Sequence, residues 1–360
     1  MTIVDEKVDF PSDEDEDDDP LVTVVVVNRD RRELLRDCLR SIVKQSYENI
    51  ELIVVDNGST DESTKVAFEE EFSRLSIRLI KNLNNRGFCA ANNQALRFSR
   101  GKYVALLNND AEADKSWVQA LVSALEANSE FGMAASKILR YSDRSVIDKA
   151  GHLIYPDGQN RGRGTGETDI GQYDCMEETA WPDGCAAFYR RTLFEHVGGF
   201  DEDFFAYADD AELGLRARIG GWRCLYVPSA LAYHHGAATL GAHSQRRLFL
   251  IERNRSWLAA KLFPWRLLLL SPLYFSFRVA ATGVAVVLGR GKGRQAVSSI
   301  SFHGLLKCVL AANLAAIAGL PTMLRKRRKI KLLRKLSPAA VRKTIRRFRI
   351  PLADLVLKAR

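Results

Sequence analysis

Between Leu21 and Ala127, short apolar runs alternate with stretches of helical periodicity, and this alternation constrains the chain more than any other feature. Leu21 to Val27 reads LVTVVVV, the continuous β-branched pattern of a strand buried on both faces of a parallel sheet. Arg32 to Gln45 then sets Leu34, Leu35, Cys38, Leu39, Ile42 and Val43 on one helical stripe. Glu51 to Val55 reads as a strand, Glu62 to Phe72 as a helix, and Ile77 to Ile80 as a short strand. Asn92 to Ser99 reads as a helix, Lys102 to Leu107 as a strand and Trp117 to Ala127 as a helix. The pattern predicts an α/β architecture, a Rossmann-like sheet flanked by helices. In such sheets ligands sit beyond the carboxyl ends of the strands. Here those ends read Asn28-Arg29-Asp30, Asp56-Asn57-Gly58-Ser59-Thr60 and Asn108-Asn109-Asp110. These residue types also make turns, but their recurrence on one expected edge favours a polar site there.

In the middle, 151–172 is rich in Gly and Arg and reads as a mobile loop that either covers a ligand or connects elements. The second half is dense in candidate groups: WPDGCAAF from Trp181, then FFAYADDAEL from Phe204, with a helix over Ala211 to Arg218. A strand over Trp222 to Val227 is expected to end at Pro228, before Tyr233-His234-His235. Asp209, Asp210 and Glu212 fit two readings: N-terminal helix capping, where carboxylates are favoured anyway, or general-base chemistry.

A net charge of +9 conceals a split. Residues 1–20 are acidic and read as a solvated, disordered tail, since such a run buries too little apolar surface to offset its ordering entropy. That acidic opening also gives no sign of a secretory leader. The six cysteines form no CxxC pair, which argues against a zinc site and for free thiols in a reducing compartment. After Arg255 the composition turns apolar, over Leu262 to Leu288 and Leu305 to Leu320, interrupted by Arg266, Pro272, Arg278, Lys307 and Asn313. Such stretches are long enough to cross a membrane, but a basic residue near mid-span is expensive, so helices embedded in or lying on a membrane are expected over 256–324. The basic tail 325–360 needs an anionic partner; its Leu, Ile and Phe spacing favours a membrane surface over nucleic acid.

Several motifs, in order, carry a more specific signal. They are VVVVNRDRRELLRDCLRSIVKQSYENIELIVVDNGSTDES, then NNRGFCAANNQAL leading to GKYVALLNNDA, then GGFDEDFFAYADDAELGLRARIGGWRCLYVPSALAYHH. Together, over about Leu21 to Asn254, they resemble glycosyltransferase family 2, the inverting enzymes of the GT-A fold, and among them the rhamnosyltransferase-like enzymes of bacterial surface polysaccharides. The resemblance implies a GT-A domain over 21–255, with a mostly parallel mixed sheet. It implies a nucleotide-sugar donor, dTDP-rhamnose first, and a lipid-linked glycan or polysaccharide acceptor. It implies Mg²⁺ or Mn²⁺, which would offset the charge of a departing diphosphate. The family's DXD-type motif falls on Asn108-Asn109-Asp110, where one carboxylate remains. Asp110 is then the expected metal ligand and Asn109 its neighbour at the donor. A family histidine after the last strand falls on His234, with His235 second. The family's acidic pair falls on Asp209 and Asp210, with Asp210 the expected base and Asp209 orienting it. Asp56 is implied at the nucleotide's base or ribose, with Asn28 and Arg29 weaker candidates beside it. Gly184 would let backbone approach the donor sugar or acceptor closely, and Trp181 and Asp183 would line the acceptor side, although Trp181 also reads as core. With the apolar and basic segments, this places the chain at the cytoplasmic face of the cell membrane. The NND departure leaves one alternative, a catalytically inactive GT-A module acting as a scaffold or binding protein.

Overall fold

A computed structural model gives the structure over residues 19–236, 244–288 and 301–357; positions 1–18 of the acidic tail lie outside the described residues. The β-branched run forms strand β1 (Val22–Asn28), whose Val22, Val24 and Val26 enter one apolar layer while Val25 enters the other. Covered on both faces, it takes the centre of the parallel half. It pairs in parallel with β2 (Ile50–Asn57) and β4 (Tyr103–Leu107), and β3 (Ser76–Asn82) extends the sheet in parallel beyond β2.

Past β4 the sheet becomes mixed. β11 (Ala186–Arg190) runs antiparallel to β4 and to β6 (Phe131–Arg140), and β12 (Arg223–His234) lies parallel to β6. Short strands trim this half: β5 (Ala111–Ala113) and β10 (Glu177–Thr179) on β12, β7 (Ile147–Ala150) on β6, and a separate hairpin of β8 (His152–Ile154) and β9 (Asn160–Gly162). Helices α1 (Arg32–Val43) and α3 (Trp117–Glu126) cover one face. The other carries α2 (Gly87–Leu96), α4 (Arg191–Val197) and α5 (Asp209–Ile219). This is the expected GT-A sheet, mixed and mostly parallel between helical layers.

The structure corrects several local expectations. The helix expected over 62–72 is a pair of 3₁₀ turns, Ser63–Phe68 and Glu70–Phe72, broken at an extended Glu69. The Glu69 carboxylate is taken by Arg32 at 3.1 Å and Arg36 at 2.7 Å on α1, which holds the segment out of a continuous helix. Pro228 does not end the last strand; it falls where the β12–β6 register shifts between Val227 and Leu231, a bulge where a missing N–H is tolerated, and the strand runs on to His234. The stretch 151–172 is no simple loop. Its β8–β9 hairpin buries His152, Asp157, Gln159 and Arg161, and Ile154 exchanges backbone hydrogen bonds with Phe348 and Ile350. Its glycines make tight turns under neighbours: a Cβ on Gly158 (φ +95) would stand 2.3 Å from the Arg255 carbonyl oxygen.

The C-terminal part is helical: α6 (Gln245–Leu262), α7 (Trp265–Val287), α8 (Phe302–Leu333), α9 (Pro338–Arg347) and α10 (Leu352–Leu357). Ion pairs, buried at Lys261 and partly exposed at Lys326, fasten it to the sheet domain. Lys261 of α6 reaches Glu212 of α5 at 2.6 Å and Asp201 at 2.5 Å, and Lys326 of α8 pairs with Asp201 and with Asp203 at 2.7 Å. Arg278, which interrupts the apolar run of α7, contacts Asp157 at 2.7 Å and Glu252 at 2.8 and 3.0 Å. α8 runs straight through the composition boundary at 324/325. The apolar residues of the basic tail are largely spent on the body: Ile330, Val341, Ile345 and Phe348 lie in the main core cluster, and Arg347 reaches Glu178 at 2.7 Å.

Candidate active site

The three polar strand endings are stitched into one edge. Asn28, fully buried, accepts from the Asn109 amide at 2.7 Å and donates to the Ser63 hydroxyl at 2.8 Å and the Ser59 hydroxyl at 3.2 Å. The Ser59 hydroxyl in turn donates to the buried Asp56 carboxylate. Asn28 and Asn109 therefore touch directly, Asp56 joins them through Ser59, and the Asn109 amide is committed to Asn28.

Register brings the metal candidates together. β5 pairs with the end of β12 so that Ala111 faces His234, and the His235 N–H donates to the Asp110 carbonyl at 2.9 Å. His234 Nε2 lies 3.4 Å from Asp110 Oδ1, and its Nδ1 lies 2.7 Å from Asp148 Oδ2. His235 turns away, stacking on Tyr141 at 3.7 Å between centroids. Burial works to raise the Asp110 carboxyl, but the hydrogen bond and charge of His234 hold it below its ordinary value. Asp148 falls to about 2, because Lys149 and His234 outweigh its burial. His234 itself rises well above its ordinary value despite burial, through Cys185, Asp110 and Asp148. A carboxylate backing a histidine whose other nitrogen faces a second carboxylate is how proteins orient a metal-binding imidazole. A hard divalent cation, which takes oxygen ligands and often keeps water, fits this donor set; binding it would displace the proton that His234 otherwise holds.

A second buried cluster adjoins the first. Lys149 Nζ lies 3.4 Å from Asp148 Oδ2 and 3.0 Å from Asp183 Oδ1. Asp183 Oδ2 lies 2.7 Å from His152 Nε2, which is 3.3 Å from Asp210 Oδ2. Asp110, His234, Asp148, Lys149, Asp183, His152 and Asp210 thus form one chain of contacts across the sheet edge. His152, Asp183 and Asp210 offer ligand atoms within 4.8 Å of one another. The Lys149 ammonium already neutralises the shared Asp183 carboxylate, so a cation is better served at Asp110. Asp209 sits well above its ordinary value through burial and the charge of Asp210. Asp210 is raised by burial, with His152 pulling it back.

The acidic pair is presented by a strained turn. Phe205, Tyr207 and Ala208 all have positive φ, at 65, 68 and 58 degrees, which costs on the order of 1–3 kcal/mol per residue and persists only when the surroundings impose it. Here they do. The fully buried Asn254 of α6 donates to the carbonyls of Phe204 (2.9 Å), Ala206 (2.9 Å) and Tyr207 (2.8 Å), and the Cys89 N–H donates to that of Phe205 at 3.2 Å. Asn254→Ala would leave buried carbonyls unpaired, about 1–3 kcal/mol of destabilisation. The expected result is a melting temperature lower by several degrees, at roughly 2–4 °C per kcal/mol, with turnover reduced more than donor affinity. Thermal unfolding and steady-state kinetics check this; an unaltered melting temperature would remove Asn254 from the role.

Of the remaining expected residues, Gly184 lies under the Phe88 ring, where a Cβ would meet it at 3.3 Å. Trp181 is core: it is fully buried, stacks on His152 at 6.2 Å, and packs so closely that a Cβ on Gly214 would fall 2.2 Å from it. Asp148, Lys149, His152 and Asn254 were not singled out from sequence. The first three interrupt the otherwise apolar pattern from Ile147 to Ile154, which is their signal.

Fold and edge residues together define a class: a GT-A module of the glycosyltransferase type. The Glycosyl transferase family 2 profile matches residues 22–198 and the Glycosyl transferase family group 2 profile matches 169–320. The chain belongs to glycosyltransferase family 2. An uncharacterized protein of Sinorhizobium fredii is 32% identical over 242 residues, 62% of this chain; the match spans only 25% of that protein's length. An N-acetylglucosaminyl-diphospho-decaprenol L-rhamnosyltransferase of Mycobacterium tuberculosis is 26% identical over 273 residues, 67% of this chain and 88% of that one. In fold the chain is similar to a mannosyltransferase of Pyrobaculum calidifontis in complex with GDP-Man and Mn²⁺, at a TM-score of 0.51 and 20% identity, covering 88% of this chain and 86% of that one.

Proposed function

We propose that the chain transfers a sugar, rhamnose first among candidates, from a nucleotide-sugar to a hydroxyl of a lipid-linked or polysaccharide acceptor, with inversion at the anomeric carbon. The observation that carries this reading is the pairing, on one sheet edge, of an Asp110–His234–Asp148 set, with Asp110 buried and its partners partly so, with a partly buried acid, Asp210, at the start of α5. Asp110 and His234 would hold Mg²⁺ or Mn²⁺, which when bound offsets charge on the departing diphosphate. Asn28, Asp56 and Asn109 shape the pocket expected for the nucleoside. Asp210 takes the proton of the acceptor hydroxyl as that oxygen attacks, and Asp209 flanks it. The mycobacterial relative's lipid-linked acceptor and the archaeal neighbour's nucleotide-sugar and Mn²⁺ support the substrate classes.

The reading includes attachment to an anionic membrane surface at its cytoplasmic face. α7 and the 303–333 part of α8 have apolar windows of mean hydropathy 1.5 and 1.6, with little of either buried in the protein. Apolar surface removed from water contributes ~25 cal/mol per Å². Exposed basic residues such as Arg325, Arg328 and Lys329 add attraction to anionic lipid, and nucleotide-sugars are met on that side. One experiment tests the whole: fractionate cells producing the full chain, then offer the membrane fraction dTDP-rhamnose, UDP- and GDP-sugars with Mn²⁺ or with EDTA. Metal-dependent donor hydrolysis or transfer in the pellet is expected. Full solubility at low salt without detergent would defeat the membrane reading. No turnover of any donor would leave a binding module instead.

A further inference from the structure

We propose that His152 is a positioning residue of the transfer reaction: through Nε2, held between the carboxylates of Asp183 and Asp210, it supplies the positive charge that Asp210 faces before the acceptor hydroxyl arrives. The proposal rests on the reading of Asp210 as the base, and goes beyond it by assigning a role to a residue on a different element.

The geometry leaves the ring little choice. β8 delivers His152 into the site as a buried residue, and Trp181 stacks on it with an interplanar angle of 24 degrees. Asp183 cannot swing away: its Oδ1 accepts from Lys149 at 3.0 Å and from the Cys185 N–H at 2.9 Å, leaving Oδ2 to His152 at 2.7 Å. Asp210 Oδ1 likewise accepts from the Ala211 N–H at 2.7 Å, leaving Oδ2 to His152 at 3.3 Å. An ionised carboxylate only accepts, and Asp183, despite its burial, is held well below its ordinary value by Lys149 and His152, so Nε2 carries a hydrogen towards it. Nδ1 is buried with no hydrogen-bond partner among the described residues, so these two carboxylates are the polar surroundings that fix the ring's state.

The charges facing this pair come from several elements. Asp183 precedes β11, Asp209 and Asp210 open α5, Lys149 lies on β7, and the Tyr189 phenol of β11 borders the acids. With His152 cationic, the Asp183 and Asp210 carboxylates face two cations; with it neutral, they face Lys149 alone, which Asp148 also draws on at 3.4 Å. Burial draws His152 down, but Asp210 and Asp183 more than reverse this and it rises above its ordinary value. In the transfer, the acceptor O–H bond breaks as the oxygen bonds to the anomeric carbon. The proton goes to Asp210, and the bond from that carbon to the diphosphate breaks with its electron pair leaving on the diphosphate. His152 exchanges no proton; its charge favours the ionised form of Asp210 until the acceptor supplies one.

The test uses the full chain in native membranes or detergent, with His152→Gln, which keeps an N–H for the carboxylates and removes the charge. Activity needs ionised Asp210, so it is present above that group's pKa and lost as pH falls through it. Losing a cation within hydrogen-bonding distance raises the pKa, so the acid limb of kcat/KM should move up by roughly 1–3 pH units. The rate should recover to within a few-fold of the parent at high pH, with donor KM and Mn²⁺ dependence little changed. An unmoved acid limb overturns the proposal. Should the variant fail to fold, nuclear magnetic resonance of isotope-labelled histidine in the parent decides: both His152 ring nitrogens protonated near neutral pH supports it, and a neutral ring overturns it. Asp210→Asn, run in parallel, separates the two readings. Parent-like transfer in Asp210→Asn defeats the base assignment and this proposal with it; an inactive Asp210→Asn beside an unmoved limb in His152→Gln defeats this proposal alone.

Discussion

Asp210→Asn should reduce sugar transfer by about 10²- to 10⁴-fold, the usual consequence of losing a general base, while donor binding stays within a few-fold of the parent. The amide keeps the shape of the carboxylate and can still accept from the Ala211 N–H, so the first turn of α5 should hold. It cannot take the acceptor proton. Because the lost interaction belongs to the transition state, kcat falls and donor affinity does not. Rate measurements under donor saturation, with donor affinity by calorimetry, decide it. Transfer within a few-fold of the parent would move the base to Asp209, which shares the turn and is buried beside it.

The second large effect is expected at Asp110. Asp110→Ala removes the charged oxygen ligand that the Asn108-Asn109-Asp110 segment offers, so Mn²⁺-dependent donor binding should weaken by at least tenfold, equivalent to ~1.4 kcal/mol or more. His234→Ala should weaken it less, since Asp110 and the donor diphosphate would still hold the ion. Titration of donor with Mn²⁺ and with EDTA tests both. If Asp110→Ala keeps the parent's metal dependence, the ion sits elsewhere, and the His152–Asp183–Asp210 cluster becomes its alternative home.

Where the sequence announced its structure, it did so through period and punctuation. The valine run of β1 and the polar ends of β1, β2 and β4 were legible because β-branched blocks and carboxylates stand out locally. β6 and β11 were not: FGMAASKILR and AAFYR mix alanine, glycine and charge, and become strands because neighbours on both sides pair with them. The site divides in the same way. Asp110, Asp210 and His234 lie in local motifs. His152 and Asn254 act through contacts made across the fold, His152 with Asp210 and Asn254 with the Phe204–Tyr207 carbonyls. Glycines in 151–172 suggested motion, whereas they serve close approach, which only the packed neighbours reveal.

The turn before Asp209 is pegged by Asn254, and the same helix, α6, reaches through Lys261 to Glu212 in the first turn of α5. A cut near residue 255 would keep the peg and discard the lysine. The C-terminal helices and the sheet domain are therefore not interchangeable modules. A change that re-seats the C-terminal helices would be felt at the acidic pair, so grafting the sheet domain onto foreign C-terminal helices would have to carry all of α6 with it, and selection on one half is selection on the other.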